Sequence, residues 1–595
     1  MTPQILMLAA LAIPAFAALL IVLAGAWPNL RETTTLVAAL ALAGAVAALI
    51  AGFDAGSAAP LVLAQLLPGF SLTLRAEPIG LIFAGVASGL WILNSLYSIG
   101  YMRAEHARNQ TRYYACFALA LSATMAIALA GNLATLFVAY EALTLVTYPL
   151  VVHWQTEGAI AGARRYLAYL LATSLVPFLA ALVWTWGVAG TLDFVPGGIL
   201  DGKLDDGLLA LLLGLYAYGV GKAALMPLHG WLPAAMVAPT PVSALLHAVA
   251  VVKAGVFTLL KIAVYIFGIE TIGRGVGDWL VWVAAGSVIA ASLIALSKDD
   301  LKARLAYSTV AQLALVTLAV AIGHPLAIAA GVLQLVMHAW GKITLFFGAG
   351  AIQIATHKKK LSEIGGIGRR MPLLIIAILL GTLSVAGLPP FGGLWAKALL
   401  GDGAAARGLD WVSAMLLVSS LLTLSYLLPI VLKACFGQPT EGSHHHAPVP
   451  PGMLAATLVT AAGTLALFFA APAIIDFLAP VLAPVSGRAA SLEAALHHQA
   501  AWAELGLVGL IFAAAALFRH SPLPRWGERL GGLLAWPGLL LAGAGTLAEQ
   551  VLAAVARPVA GLIGSIARTL TIGGAGDGVL WTLALLAVIL IVSFG

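Results

Sequence analysis

Apolar windows of about 20 residues, each long enough to cross the hydrocarbon core of a bilayer, recur sixteen times along this chain. They fall near 4–26, 34–52, 79–101, 113–130, 132–153, 162–189, 208–226, 242–267, 278–296, 303–322, 326–355, 372–400, 410–435, 452–480, 501–518 and 578–594. In lipid a segment must satisfy its own backbone hydrogen bonds, so the windows predict helices and the chain reads as an all-α polytopic membrane protein. Charged residues make up 9% of the chain, against about 25% in a soluble domain. The start, MTPQILMLAALAIPAF, lacks a basic leading region and reads as a first membrane helix, not a cleaved leader.

Basic residues set the expected orientation. Loops after odd-numbered windows hold 18 Lys and Arg, including Arg103, Arg164, Arg165, Lys298, Arg304, Lys358, Lys359, Lys360, Arg369 and Arg370. Loops after even-numbered windows hold five: Arg75, Lys203, Arg274, Arg407 and Arg488. By the positive-inside rule the odd loops are cytoplasmic and the N-terminus is outside. The same scatter argues against a nucleic-acid surface despite a net charge of +6, because no basic patch forms. Cys116 and Cys435 sit in apolar context and read as small packing residues, not as a disulfide or a metal site. After the fifteenth window, 519–577 carries Glu549, Arg557 and Arg568 among small apolar residues. It reads as an amphipathic segment lying along the membrane, with a further span over 527–571 as the alternative.

The most unusual stretch is Tyr216 to Lys261. It is apolar, yet it carries Lys222, His229, His247, Lys253 and Lys261 together with Pro227, Pro233, Pro239 and Pro241. A cation at the bilayer centre costs roughly 2.5–3.5 kcal/mol, and proline interrupts a helix, so basic groups beside broken helix mark an ion path, here for protons. Lys222 precedes Pro227, whose missing hydrogen bond makes room for water. Upstream, Glu141 in LATLFVAYEALTLVTYPLV reads either as a neutral buried carboxyl or as a partner of Lys222, the two titrating as one coupled unit. His247 and Lys253 are six residues apart, about 240° round a regular helix. They face one path only if the helix is irregular, and Gly255 offers the place. Lys261 reads as able to reach the headgroups.

Further along, Gln334, His338 and Lys342 are spaced four apart and form a polar stripe on one helix face. That stripe is either a helix–helix seam or a proton relay. Lys397 follows LSVAGLPPFGGLWAK, where Pro389 and Pro390 break the helix at membrane depth; as the last intramembrane base it would hand protons to the outer side. His444, His445 and His446 lack metal-spaced partners and read as a solvated loop. No phosphate loop, dinucleotide fingerprint or iron–sulfur cysteine set is present in the sequence, so no cofactor or metal is expected and the energy must come from an ion gradient or from partners. A faint repeat relates 131–145 to 299–313, and Lys222 with Pro227 to Lys397 with Pro389 and Pro390, as in transporters built from duplicated units.

The motifs SLYSIGYM, AYEALTLVTYPLV, GKAALMPLHGWLPAAMVAPTPVSALLHA, DLKARLAYSTVAQL and LPPFGGLWAK resemble the antiporter-like membrane subunits of respiratory complex I and of Mrp-type cation/proton antiporters, with relatives in membrane-bound hydrogenases. The resemblance covers about residues 70–435. It implies a core of about 14 helices with two inverted five-helix repeats and broken helices, followed by a lateral amphipathic segment and a final span. The expected divisions are N-terminal helices over 1–112, a first repeat over 113–267, a second over 278–435, C-terminal spans over 436–518, the lateral segment over 519–577 and an anchor over 578–595. Glu141 and Lys222 match the family's glutamate–lysine pair, and Lys342 and Lys397 its central and exit lysines. His247 matches the distal complex I subunit, whereas Lys253 and the Ala398 that follows Lys397 match the Mrp side. The implied role is a proton-translocating subunit of a multi-subunit complex in a bacterial cytoplasmic membrane, without a redox centre of its own. It would serve monovalent cation/proton antiport, or a proton-pumping oxidoreductase such as complex I or a hydrogenase, or it would be a scaffold with an inactive polar axis.

Overall fold

Helices begin where the sequence supplies a cap. Side chains of Asn132, Thr156, Asp205 and Asp300 accept from backbone N–H groups three residues on, at 2.8, 3.2, 2.9 and 2.8 Å, satisfying donors that a helix start leaves open. Pro3, Pro28, Pro78, Pro325, Pro372 and Pro451 occupy the first helical turn of their helices, where no N–H is needed. The computed structural model describes residues 2–54, 59–67, 70–438, 447–482 and positions 502, 503, 505, 506 and 508–510. The two last expected spans (apart from those few positions), the lateral segment 519–577 and His444, His445 and His446 lie outside the described residues.

The helices are α1 (Pro3–Leu23), α2 (Pro28–Ala51), α3 (Pro78–Ala104), α4 (Gln110–Ala128), α5 (Leu133–Val151), α6 (Glu157–Ala189), α7 (Asp206–Gly219), α8 (Thr240–Phe267), α9 (Asp278–Ser297), α10 (Leu301–Ile322), α11 (Pro325–Thr356), α12 (Pro372–Ala386), α13 (Gly393–Ala405), α14 (Trp411–Phe436) and α15 (Pro451–Phe477). Among the described residues, eleven are long and apolar enough to cross a membrane, and the chain is a multi-pass membrane protein. The short apolar helices α7 and α12 are short because each stops at an interruption. After α7 come a 3-10 turn over Gly221–Ala223 and a short helix over Trp231–Ala234; after α12 the chain resumes at Gly393. Pro227, Pro389 and Pro390 lie in these interruptions, which contain the cis bonds Met226–Pro227 and Pro389–Pro390. Three further irregularities are π-helical stretches inside long helices, Ser174–Phe178 in α6, and Leu245–Val249 and Ile262–Phe267 in α8. Between α2 and α3 the chain forms an antiparallel hairpin, β1 (Leu61–Leu67) and β2 (Phe70–Leu74), where only a loop was expected.

The centre is α8, α10 and α11, almost wholly buried, while α1, α2 and α15 leave much of their surface outward. The loops gather into two sets. One joins β2, the Leu129–Asn132 turn, the 190–200 loop and the end of α8 through Arg75 N–H to Leu129 O (2.8 Å), Leu133 N–H to Leu192 O (2.9 Å) and Ile199 N–H to Ile266 O (2.9 Å). The other joins Arg31 to Gln110 (2.8 Å), Arg112 to the His153 carbonyl (3.2 Å), Lys302 to the Ala238 carbonyl (2.6 Å) and Leu301 to Lys359 (2.9 Å). Exposed ion pairs tie further loops: Arg274 pairs with Asp201 at 2.7 Å and Asp206 at 3.1 Å, and Arg407 with Asp278 at 3.0 Å. The Arg274 guanidinium holds the Asp201 carboxyl below its ordinary range. What that pair contributes is therefore present at neutral pH and lost only as acid protonates the carboxyl. Both groups are in water, where such pairs count for little. Arg274→Ala is expected to leave thermal unfolding in detergent and complex assembly unchanged; a clear drop in melting temperature would contradict this.

Candidate functional site

Lys222 is held in the first interruption. Its 3-10 turn packs between α6, α8 and α10, and the side chain is fully buried. The ammonium donates to the Tyr140 carbonyl (2.8 Å) and to the Thr144 hydroxyl, and lies 3.1 Å from the centroid of the Tyr140 ring. The Tyr140 hydroxyl in turn accepts the Lys222 backbone N–H at 3.0 Å, and the Trp231 indole donates to the Gly221 carbonyl at 2.9 Å. Glu141 stands next in α5, 1% exposed, its two carboxylate oxygens without a hydrogen-bond partner among the described residues. It is electrostatically coupled to Lys222. The lysine thus takes its direct contacts from the neighbours of Glu141 and senses the carboxylate through space.

The second group lies between α8 and α11. Lys253 Nζ and His338 Nδ1 are 2.6 Å apart, and both residues are buried. Lys342, one turn beyond His338, donates to the Leu305 carbonyl of α10 at 3.1 Å. His247 sits in the π turn of α8 against the Phe346 ring (centroids 5.0 Å), with neither ring nitrogen hydrogen-bonded among the described residues. His338 is coupled electrostatically to Lys253, Lys342 and His247, so four buried basic groups share one site. Gln334 completes the α11 stripe, donating to Gln312 of α10 at 2.6 Å. In low dielectric a cluster of bases with no acid paired to it among the described residues is costly to charge fully.

Lys397 lies in α13, just past the second interruption. Its ammonium donates to the Ala386 carbonyl (2.7 Å) and to the Ser420 hydroxyl of α14, which itself donates to Ala386 at 3.0 Å. Gly387, at φ 85°, lies under the lysine stem: an added Cβ would come 2.8 Å from Lys397 Cδ. Gly392 lies against Met337 of α11, where a Cβ would come 2.2 Å from Sδ. The break is thereby seated one residue from His338. Leu505 and Val508 pack on the same region through Leu383, Leu388 and Phe391.

Two expectations change. Gly255 is not a helix break: it lies inside the regular helical stretch Val251–Lys261. The irregularity between His247 and Lys253 is the π turn just before it. Gly255 serves instead as a contact point, since a Cβ there would lie 2.3 Å from Ala223 N and from Lys222 C. Lys261 does not reach an interface; it is fully buried and ion-paired with Glu77. Glu77 was missed because nothing near it in sequence marks its partner.

The family described as NADH:quinone oxidoreductase/Mrp antiporter, TM, matches residues 130–423, the range from Glu141 to Lys397 included. NADH-quinone oxidoreductase subunit N of Desulforudis audaxviator (strain MP104C) is 33% identical over 393 residues, covering 65% of this chain and 77% of that protein. A subunit of the "Probable K(+)/H(+) antiporter" of Rhizobium meliloti (strain 1021) is 28% identical over 404 residues, 66% of this chain but only 39% of that longer protein. In fold, a chain of the Mrp complex from Dietzia sp. DQ12-45-1b is similar with a TM-score of 0.72 at 22% identity, over 83% of this chain and 100% of that one. With subunit N matched over most of its length and the buried lysines inside the family's range, this chain belongs to the antiporter-like, cation- and proton-translocating membrane subunits shared by Mrp antiporters and complex I.

Proposed function

We propose that the chain carries protons through the membrane as a subunit of a hetero-oligomeric complex, and that its task there is Mrp-type monovalent cation/proton antiport. The observation that carries this is the buried Lys253–His338 contact with Lys342 one turn away. Uncompensated bases at that depth are costly unless charge moves through them. Protons are taken up from the cytoplasmic side near Lys222 and Glu141, pass the His247, Lys253, His338 and Lys342 group, and leave by Lys397. The end of the molecule rich in basic loops is the cytoplasmic one by the positive-inside rule, which puts the N-terminus outside a bacterial cytoplasmic membrane. Residues 113–267 and 278–435 act as two inverted units, each with one interrupted helix, and the Lys222 and Lys397 sites support that pairing. Lys253 and Ala398 support the antiport side.

A second reading has its own support: the identity over 77% of the Desulforudis subunit N fits a proton-pumping arm of a complex I-like oxidoreductase. Moving one charge against 100 mV costs about 2.3 kcal/mol, so pumping needs a redox partner, whereas antiport needs only a gradient. Purifying the complex in mild detergent separates the two. The expected result is a set of small membrane subunits and sodium- or potassium-driven proton flux in vesicles; co-purifying flavin or iron–sulfur subunits would sink plain antiport.

A further inference from the structure

The path above leaves the buried Glu77–Lys261 charge pair unused. Glu77 precedes the first turn of α3 and Lys261 lies near the outer end of α8; their side chains are 8% and 0% exposed. The Lys261 ammonium pairs with the Glu77 carboxylate, donates to the Ala130 carbonyl at 2.8 Å and lies 3.9 Å from the Phe194 ring centroid. Over this pair close β2, the Leu129–Asn132 turn and the 190–200 loop, tied by Gly131 N–H to Thr73 O (2.8 Å) and Phe194 N–H to Gly131 O (3.3 Å). Arg75, partly exposed, bonds to the Phe194 carbonyl at 3.4 Å and forms the charged rim.

An ion pair taken out of water adds little net stability, and apolar residues of similar volume are often as good or better. The fold of this corner therefore has no need of the charges. Lys261 is on the same helix as Lys253, eight residues on, about 12 Å along the axis. It stands between the central bases and the loops opposite the basic end.

We infer that Glu77 and Lys261 form a proton mouth of the first repeat on the outer side, closed by Phe194 and rimmed by Arg75. A proton arriving along α8 is taken by the Glu77 carboxylate, and a proton released past Phe194 restores the pair; no other bond forms or breaks. This gives the chain a second outer opening besides Lys397, and it rests on the proton-translocation reading above.

The test uses the intact complex in inverted membrane vesicles, with cation-driven proton flux read by a pH-sensitive dye. Glu77→Leu with Lys261→Met removes the pair but fills the space. Glu77→Gln keeps the shape and an acceptor for the ammonium while removing the titrating group, so it serves if the double variant fails to assemble. Each assembled variant is expected to lose about half of the flux or more, because one of two outer openings then lacks its proton-transfer group, and Glu77→Asp to keep most of it. Wild-type flux in either assembled variant would overturn the proposal and leave the pair a structural staple. Lys342→Met in the same vesicles reports on the transport reading separately: if its flux is abolished while Glu77→Gln is normal, only the mouth falls.

Discussion

Lys342→Met is expected to reduce cation-coupled proton flux about a hundredfold or more, the effect of deleting a positioned proton-transfer group, while the complex assembles at wild-type level. The two halves of this expectation have separate causes. Methionine fills the volume of the lysine stem and adapts to its surroundings, so no cavity opens between α10 and α11. It also removes a fully buried amine whose hydrogen bond among the described residues is to the Leu305 carbonyl at 3.1 Å, and losing a buried ionisable group relieves a desolvation cost. Stability should hold or rise. The transport step has no such substitute. Lys342 is one turn from His338, and His338 is the group that senses Lys253, Lys342 and His247 together. In the proposed path, a chain of bases without Lys342 ends between α8 and α11, and Lys397 receives nothing. Purification yield and subunit composition check the first half and vesicle flux the second. Normal flux in an assembled Lys342→Met complex would leave the scaffold reading standing.

The described helices could be read from the sequence because membrane helices are governed locally. A window's length and hydropathy decide that it spans, and caps such as Asn132 or Asp300 and prolines such as Pro325 decide where it starts. The interruptions at Pro227 and at Pro389 and Pro390 were legible for the same reason. The partners of the buried charges were not. Lys253 and His338 are 85 residues apart in the chain, and Lys261 and Glu77 lie on different helices; which base meets which group depends on packing that no local pattern encodes. The sequence suggested Glu141 as the partner of Lys222, and the coupling is there, but the direct contacts come from Tyr140 and Thr144. A tyrosine carbonyl leaves no sequence signature. The hairpin of β1 and β2 was missed because LVLAQLL is as apolar as the spans beside it and too short to be one. The π turn at Leu245–Val249 was sought at Gly255 on the rule that glycine loosens helices. Here the glycine is needed for nearness, and the irregularity falls on ordinary residues.

Gly255→Ala turns that distinction into a measurement, and it is expected to destabilise the protein and to impair transport together. In a helix interior alanine is intrinsically better than glycine by about 1 kcal/mol, so any loss must come from contact. The new Cβ would lie 2.3 Å from Ala223 N, 2.3 Å from Lys222 C and 2.8 Å from Lys222 O. All three are backbone atoms and none can swing aside. Overpacking of this kind costs about 1–3 kcal/mol, and the strain can be relieved only by moving the Gly221–Ala223 turn away from α8. That turn is pressed on its other side by Thr173, which would stand 2.1 Å from a Cβ at Gly221, so it has little room to retreat. Displacement would loosen the Lys222 contacts with the Tyr140 carbonyl and the Thr144 hydroxyl and change its coupling to Glu141. Gly286 is the control: it lies within α9 with nothing within 4 Å of an added Cβ, and Gly286→Ala should be neutral or slightly stabilising. Thermal unfolding in detergent and proton flux in vesicles are the readouts. A Gly255→Ala protein with both at wild-type values would mean that the close approach of α8 to the Lys222 turn is not what positions the lysine.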